Sequence, residues 1–295
     1  MKRYDILLPA LAVVGGGVGF GLRRWQLTTG YDPQTQLFLH GHPASYALLL
    51  LTAVLALFVL LTIRTAKGPK DFLPAFHCPH SGYMTGMAAS GLLLLGAGVL
   101  GLLEGMGQLS AWKMDPESYL ITYPIAIFIC AFLCFLAGPA QLALGRSAYR
   151  ETLGESCSLL AVFPPMAALA WLFSFHLDHG TDPVLMSYGI TLAAVVFLLL
   201  AQYECAAFFH SRPHPRRALF FLLMGSYLAL VSLADVPEPF FLLLTVSFLL
   251  ASLSQGWALL RNTLGPPWPK RLLHERMPFG AEPEDTAHPS EGSVS

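Results

Sequence analysis

Charge is what this chain of 295 residues has least of. Asp, Glu, Lys and Arg supply 12% of it, against about 25% in a soluble domain, while 55% is hydrophobic and the mean hydropathy is +0.57. So little charge excludes a disordered chain, and a formal net charge of −1 excludes the basic excess of a nucleic-acid binder. The Gly-X-Y period of collagen is missing too. Among catalytic signatures, there is no Gly-rich phosphate loop ending in Lys-Ser/Thr, no His-Glu-x-x-His pair and no Gly-x-Ser-x-Gly elbow. No reaction and no cofactor follow from the residues alone. What remains is an integral membrane protein.

Eight apolar runs are long enough to cover a hydrocarbon core of about 30 Å as helices. They are 4–22, 45–63, 82–103, 118–144, 159–177, 184–209, 218–234 and 240–260. Helices are required because lipid offers the backbone no hydrogen-bond partner. An outer-membrane barrel would alternate polar and apolar residues, whereas 47–61 is nearly continuous apolar sequence. The first run is the weakest, with Asp5 near its start, Gly15, Gly16, Gly17, Gly19 and Gly21 within it, and Arg23 and Arg24 directly after. Without a small-x-small cleavage site behind its Lys2-Arg3 head, it reads as an uncleaved span. The expected fold is an all-α, polytopic transmembrane bundle of about eight spans.

Basic residues orient the bundle, because cytoplasmic loops retain Lys and Arg during insertion. The side holding both termini carries 14 of them, and the other side only Arg23, Arg24 and Lys113. A multi-pass plasma-membrane protein with both termini cytoplasmic follows. Eight acids make the outer side −5, while the inner side is +4, so the near-neutral total hides two oppositely charged faces. The inner face would attract anionic lipids by roughly 1 kcal/mol per well-placed Lys or Arg. The five Trp, Trp171 among them, fit interfacial anchors.

Residues 1–262 form the spanning domain, 263–279 a basic Pro-rich juxtamembrane segment, and 280–295 an acidic tail too polar to bury a core. Between the first two spans, Gly30-Tyr31-Asp32-Pro33 is a turn signature that predicts a small external hairpin. Asp115, Asp182 and Asp235 each precede a Pro by one or two positions, the pattern of an acid capping the next helix. Gly15/Gly19, Gly17/Gly21 and Gly82/Gly86 have small-xxx-small spacing, which predicts close packing inside the bundle and secondarily a face for a homo-oligomer or another membrane protein.

Three constellations carry candidate chemistry. Glu204 lies about five residues from the inner end of its span, and Gln141, Gln255 and Tyr203 share its depth, the makings of a ligand or proton site. Outside, His176, Asp178, His179 and Asp182 cluster after the fifth span, where two imidazoles one turn apart suit a shared cation or a pH-sensitive latch. On the inner side, His77-Cys78-Pro79-His80 offers imidazole and thiolate to a metal, without a second ligand pair at zinc-finger spacing. The five cysteines avoid the outer loops, so reduced thiols are expected.

Asp182-Pro183-Val184-Leu185, running on to Arg212-Pro213-His214-Pro215-Arg216-Arg217-Ala218-Leu219-Phe220, resembles segments of uncharacterised multi-spanning membrane proteins of Gram-positive anaerobic bacteria. The resemblance is confined to this stretch and implies a bacterial plasma-membrane address and no activity. No span sets a charge near the bilayer midplane, where ion-coupled transporters generally keep one. The expected role is therefore non-enzymatic, as a scaffold, accessory or lipid- or partner-binding protein. A permease with a polar pocket near Glu204 and a metal-binding protein are the alternatives.

Overall fold

A chain with so few polar side chains satisfies its backbone within helices, and the computed structural model is almost wholly helical. It describes residues 3–32, 37–39, 41–64, 66, 68–117, 120–179, 184–210, 212–235, 237–266 and 268. The 280–295 tail lies outside the described residues, as does most of the basic segment before it.

The elements in order are α1 (Tyr4–Thr29), β1 (Tyr31–Asp32), β2 (Leu37–Phe38), α2 (Pro43–Ile63), α3 (Phe72–Phe76), α4 (Ser81–Met114) and α5 (Thr122–Arg150). Then follow α6 (Cys157–Leu160), α7 (Phe163–His179), α8 (Leu185–Ala207), α9 (Pro215–Ser232) with a 3-10 turn (Leu233–Asp235), and α10 (Pro239–Leu264). Among the described residues, eight helices are long and apolar enough to cross a membrane, with α6 and α7 counting as one. β1 and β2 pair antiparallel as the expected hairpin.

Helix ends overrun the apolar runs. α4 has 34 residues, about 50 Å of helix against a hydrocarbon layer of about 30 Å, so it carries Glu104 and Lys113 beyond the apolar zone. α1 continues through Arg23 and Arg24 to Thr29. Charge ends an apolar run, but it does not end a helix. The ends that hold the termini meet: Asp5, in the first turn of α1, accepts a hydrogen bond from Arg261 Nη1 in the last turn of α10 at 2.5 Å.

α9 and α10 form the centre, and α1, α4, α5, α7 and α8 surround them. α9 packs on α1, α8 and α10, whereas α10 packs on α4. α2 sits outside this ring, against α1 and one edge of α9. Its Leu49, Leu50, Leu57 and Leu61 are exposed, as befits a surface solvated by lipid.

α4 and α5 are the most closely zipped pair. A Cβ on Gly91 would lie 2.7 Å from the Gly138 carbonyl oxygen, and one on Gly138 2.8 Å from that of Gly91, so both positions admit hydrogen only. Gly98 and Gly105, each seven residues on, receive the rings of Phe135 and Phe128. Of the glycine pairs singled out by spacing, Gly15 and Gly19 do press against α2 and α9 through Leu55, Tyr227 and Val231. Gly17 and Gly21 meet nothing within 4 Å and face outward, because a two-residue offset turns them away from that contact.

Two further expectations are corrected. Trp171 is not an interfacial anchor but a core residue, 1% exposed and stacked on Phe248 at 5.8 Å. Asp115 and Asp235 cap no following helix: α5 and α10 start at Ile121 and Glu238 without a side-chain cap, and Asp115 closes α4 instead. Asp182 lies outside the described residues.

Candidate functional site

The most conspicuous polar construction lies at the end of the bundle away from the termini. Arg23, on the last turns of α1, is 1% exposed. Its Nε donates to Asp235 Oδ1 at 2.7 Å, Nη1 to Gln26 Oε1 at 2.8 Å and Nη2 to the Ser187 carbonyl at 2.8 Å. Thr191 Oγ1 donates to the second Asp235 oxygen, and Gln26 Nε2 to Ser45 Oγ, both at 2.7 Å. The network ties α1, α2, α8 and the turn after α9 together. Burying two ions costs several kcal/mol each, and the short bonds to both charges are what offset that cost.

Beneath this network runs a groove of about 550 Å³ between α2 and α8, with α1 and α9 behind it. Arg23, Gln26 and Ser45 are at its mouth, and Phe38 of the hairpin covers the guanidinium 5.6 Å from its ring centroid. The walls are apolar, among them Leu48, Ile190, Ala193 and Leu228. Tyr46 and Leu49 line the groove while staying exposed, so it opens sideways along α2. At the deep end stands Thr52, hydrogen-bonded to Tyr227 at 2.8 Å. Past Thr52 the gap closes, with Leu55 against α1 at Gly15 and Val59 and Ile63 buried.

Sequence reading did not single out this site. In the sequence Arg23 stands out as a charge that follows the first run and Asp235 as a capping acid before Pro, and no local pattern joins residues 212 apart. The one available signal was a cation at the end of span 1 and an anion at the end of span 7 on the same side.

The inner candidates divide between two faces of α8. Gln141 and Gln255 are buried and linked through Gln202: Gln141 Nε2 donates to Gln202 Oε1 at 3.0 Å, and Gln202 Nε2 to Gln255 Oε1 at 3.2 Å. Cys205 Sγ also donates to Gln255 Oε1, at 3.4 Å. Tyr203 and Glu204 do not join them. Tyr203 is 59% exposed, and Glu204 turns to α9, with Arg217 at 3.4 Å and His214 at 3.8 Å. Each residue along a helix rotates by about 100°, so similar depth did not mean a shared face.

Of the second constellation, Asp178 and His179 pair at 3.3 Å, and His179 stacks on Phe175 at 4.3 Å. His176 is exposed on the same helix, and Asp182 is outside the described residues. Glu104, Glu238 and Asp178 act on one another here. Glu238 keeps much of its surface in water, yet partial burial, then the Glu104 and Asp178 carboxylates, push its carboxyl above the usual range while His179 pulls it down.

The His77-Cys78-Pro79-His80 string separates its ligands. His77 is buried, with Nδ1 donating to the Ala148 carbonyl at 3.1 Å, and Cys78 is fully buried. His80 is spent as the cap of α4, its Nδ1 accepting from Gly82 N at 3.0 Å. Among the described residues no group of three or more His, Cys, Asp or Glu is placed to hold a metal ion.

These features define a class: a predominantly helical, multi-spanning membrane protein with a lateral groove headed by a buried ion pair. No family model, no curated protein and no solved structure matches the chain.

Proposed function

We propose that the protein is a non-enzymatic, lipid-binding protein of the bacterial plasma membrane, with both termini cytoplasmic, that seats one chain of an outer-leaflet lipid in the groove between α2 and α8. The basic excess on the side of the termini supports the orientation, and the resemblance of the 182–220 region supports the bacterial address.

The observation that carries the reading is the groove's depth. From Ser45 at the mouth to Thr52 at the closed end is seven residues of α2, about 10 Å of helix. One leaflet contributes about 15 Å of hydrocarbon. A groove that is polar at the headgroup level, apolar below it, open sideways to lipid and closed near the midplane fits one leaflet's chain. It offers no continuing route across the bilayer. Because Asp235 already neutralises Arg23, the mouth presents dipoles such as Gln26 and Ser45, suited to a hydrogen-bonding headgroup more than to a bare anion.

Gentle extraction followed by native mass spectrometry tests this. Wild-type protein keeps a lipid adduct of defined stoichiometry. Ala193→Trp, which fills the groove, loses it, and Leu57→Trp, on the outward face of α2, keeps it. An adduct retained by Ala193→Trp, or absent from wild type, refutes the proposal.

A further inference from the structure

At the end of the bundle that holds the termini, a second cleft of about 380 Å³ lies between the last turns of α5 and the loop that leads into α6. Arg146 and Arg150, one turn apart on α5, form one wall, and Thr152, Glu155 and Ser156 the other. The loop folds back because Glu151 adopts a left-handed conformation, φ 56°, and Thr152 N donates to the Ser147 carbonyl at 3.2 Å. Ser147 and Cys157, hydrogen-bonded at 3.3 Å, pin the loop from below.

Four of the ten described arginines, Arg64, Arg146, Arg150 and Arg212, have no side-chain partner among the described residues, and of these only Arg146 and Arg150 line a cleft. Arg3, Arg23, Arg217 and Arg261 each have a carboxylate partner, whereas among the described residues Arg146 and Arg150 enter no ion pair, hydrogen bond or ring contact. Both are exposed, with their guanidinium groups available. A basic residue in a last helical turn is ordinarily explained by the helix dipole or by membrane insertion. Neither reason calls for two of them to face a hydroxyl-bearing loop across a cleft. Arginine forks match phosphate oxygens, and hydroxyls complete such a shell. Apolar side chains next to the cleft identify the phosphate's source: Leu160 lines it, while Leu153 and Leu159 beside it are 49% and 65% exposed. A free ion has no use for them, and an acyl chain does.

We propose that this cleft binds the phosphate of an anionic phospholipid headgroup through Arg146 and Arg150, with Thr152 and Ser156 as hydroxyl donors and Glu155 opposing. The assignment is independent of the groove at the other end, and each survives the other's failure.

The test reads phosphatidylglycerol retained by the full chain in nanodiscs of phosphatidylcholine and phosphatidylglycerol. Arg146→Gln/Arg150→Gln lowers retention roughly thirty-fold, because two charge-assisted, forked contacts to the phosphate are lost. Arg64→Gln/Arg212→Gln removes the same charge from the same end outside the cleft, where it acts only through the salt-screened surface field, and leaves retention within about twofold. Equal losses in the two double variants would mean a diffuse field and overturn the site. Glu155→Gln raises retention several-fold, a gain that misfolding cannot mimic; no gain also overturns it. Arg146→Lys/Arg150→Lys, which keeps the charge but loses the forks, binds between the wild type and the Gln pair. Millimolar inorganic phosphate leaves the lipid in place, and displacement by it would overturn the lipid assignment in favour of free phosphate.

Discussion

The Arg23–Asp235 pair allows the sharpest test of the bundle. Asp235→Ala takes the carboxylate away from a guanidinium that is 1% exposed and leaves the Gln26 and Ser187 acceptors in place. Removing one member of a buried pair costs about 3–5 kcal/mol. The Asp235 side chain keeps 15% of its surface, so water reaches this site and the lower end, about 3 kcal/mol, is expected. Arg23→Met costs somewhat less, because the orphaned carboxylate retains both that water and the Thr191 hydroxyl. With both charges gone, Arg23→Met/Asp235→Leu forfeits the Gln26, Ser187 and Thr191 bonds, about 1 kcal/mol each, and leaves no buried charge of the pair behind. The double-mutant cycle therefore returns a coupling of at least about 2 kcal/mol. Reversible unfolding in mixed micelles, titrated with dodecyl sulfate and followed by tryptophan fluorescence, measures all four proteins. If Asp235→Ala costs under about 1 kcal/mol and the two changes simply add, the pair does not join α1 to the α9 turn and the reasoning fails.

Two further predictions concern packing and pH. Gly138→Ala drives a methyl group into the Gly91 backbone, which cannot swing aside as a side chain can, and costs about 1–3 kcal/mol in the same assay. Gly17→Ala meets nothing within 4 Å and gains about 0.5–1 kcal/mol of helix stability, so equal effects at the two positions would discredit the α4–α5 contact. Glu238 binds its proton more tightly in the folded protein than in the unfolded chain. Stability should therefore rise as pH falls from neutral through the raised value toward the ordinary carboxylate value of about 4.3, and Glu238→Gln should flatten that rise. Glu104, Asp178 and His179 face the same spot, so the wild-type-minus-variant difference in thermal midpoint is the quantity to follow; no difference across that window refutes the burial.

The eight helices were legible because each apolar run has to form its own hydrogen bonds in lipid, a constraint that acts locally along the sequence. The hairpin after α1 was legible for a similar reason, since Gly30 to Pro33 is a turn whatever surrounds it. Residue depth was legible too: Gln141 and Gln255 do lie at one level and share a hydrogen-bonded chain. Azimuth was not. Gln202 faces that chain while its neighbours Tyr203 and Glu204 face away, and nothing in a uniformly apolar helix marks which side meets protein and which meets lipid. Asp235 resembled a cap because capping is the local use of an acid before Pro. Its actual partner stands 212 residues earlier.

The first helix draws both of its strong charge partners from late in the chain. Asp5 waits for Arg261, 256 residues on, and Arg23 waits for Asp235. While the chain is being synthesised, span 1 already sits in the bilayer with its acid at one end and its base at the other still waiting for these late partners, each held at its own headgroup layer. Neither of these two ion pairs can close until the last two spans arrive. Closure of the bundle is thus a late step, and a ribosome stalled before α9 would leave a first helix held upright at both surfaces but fastened to neither of those partners.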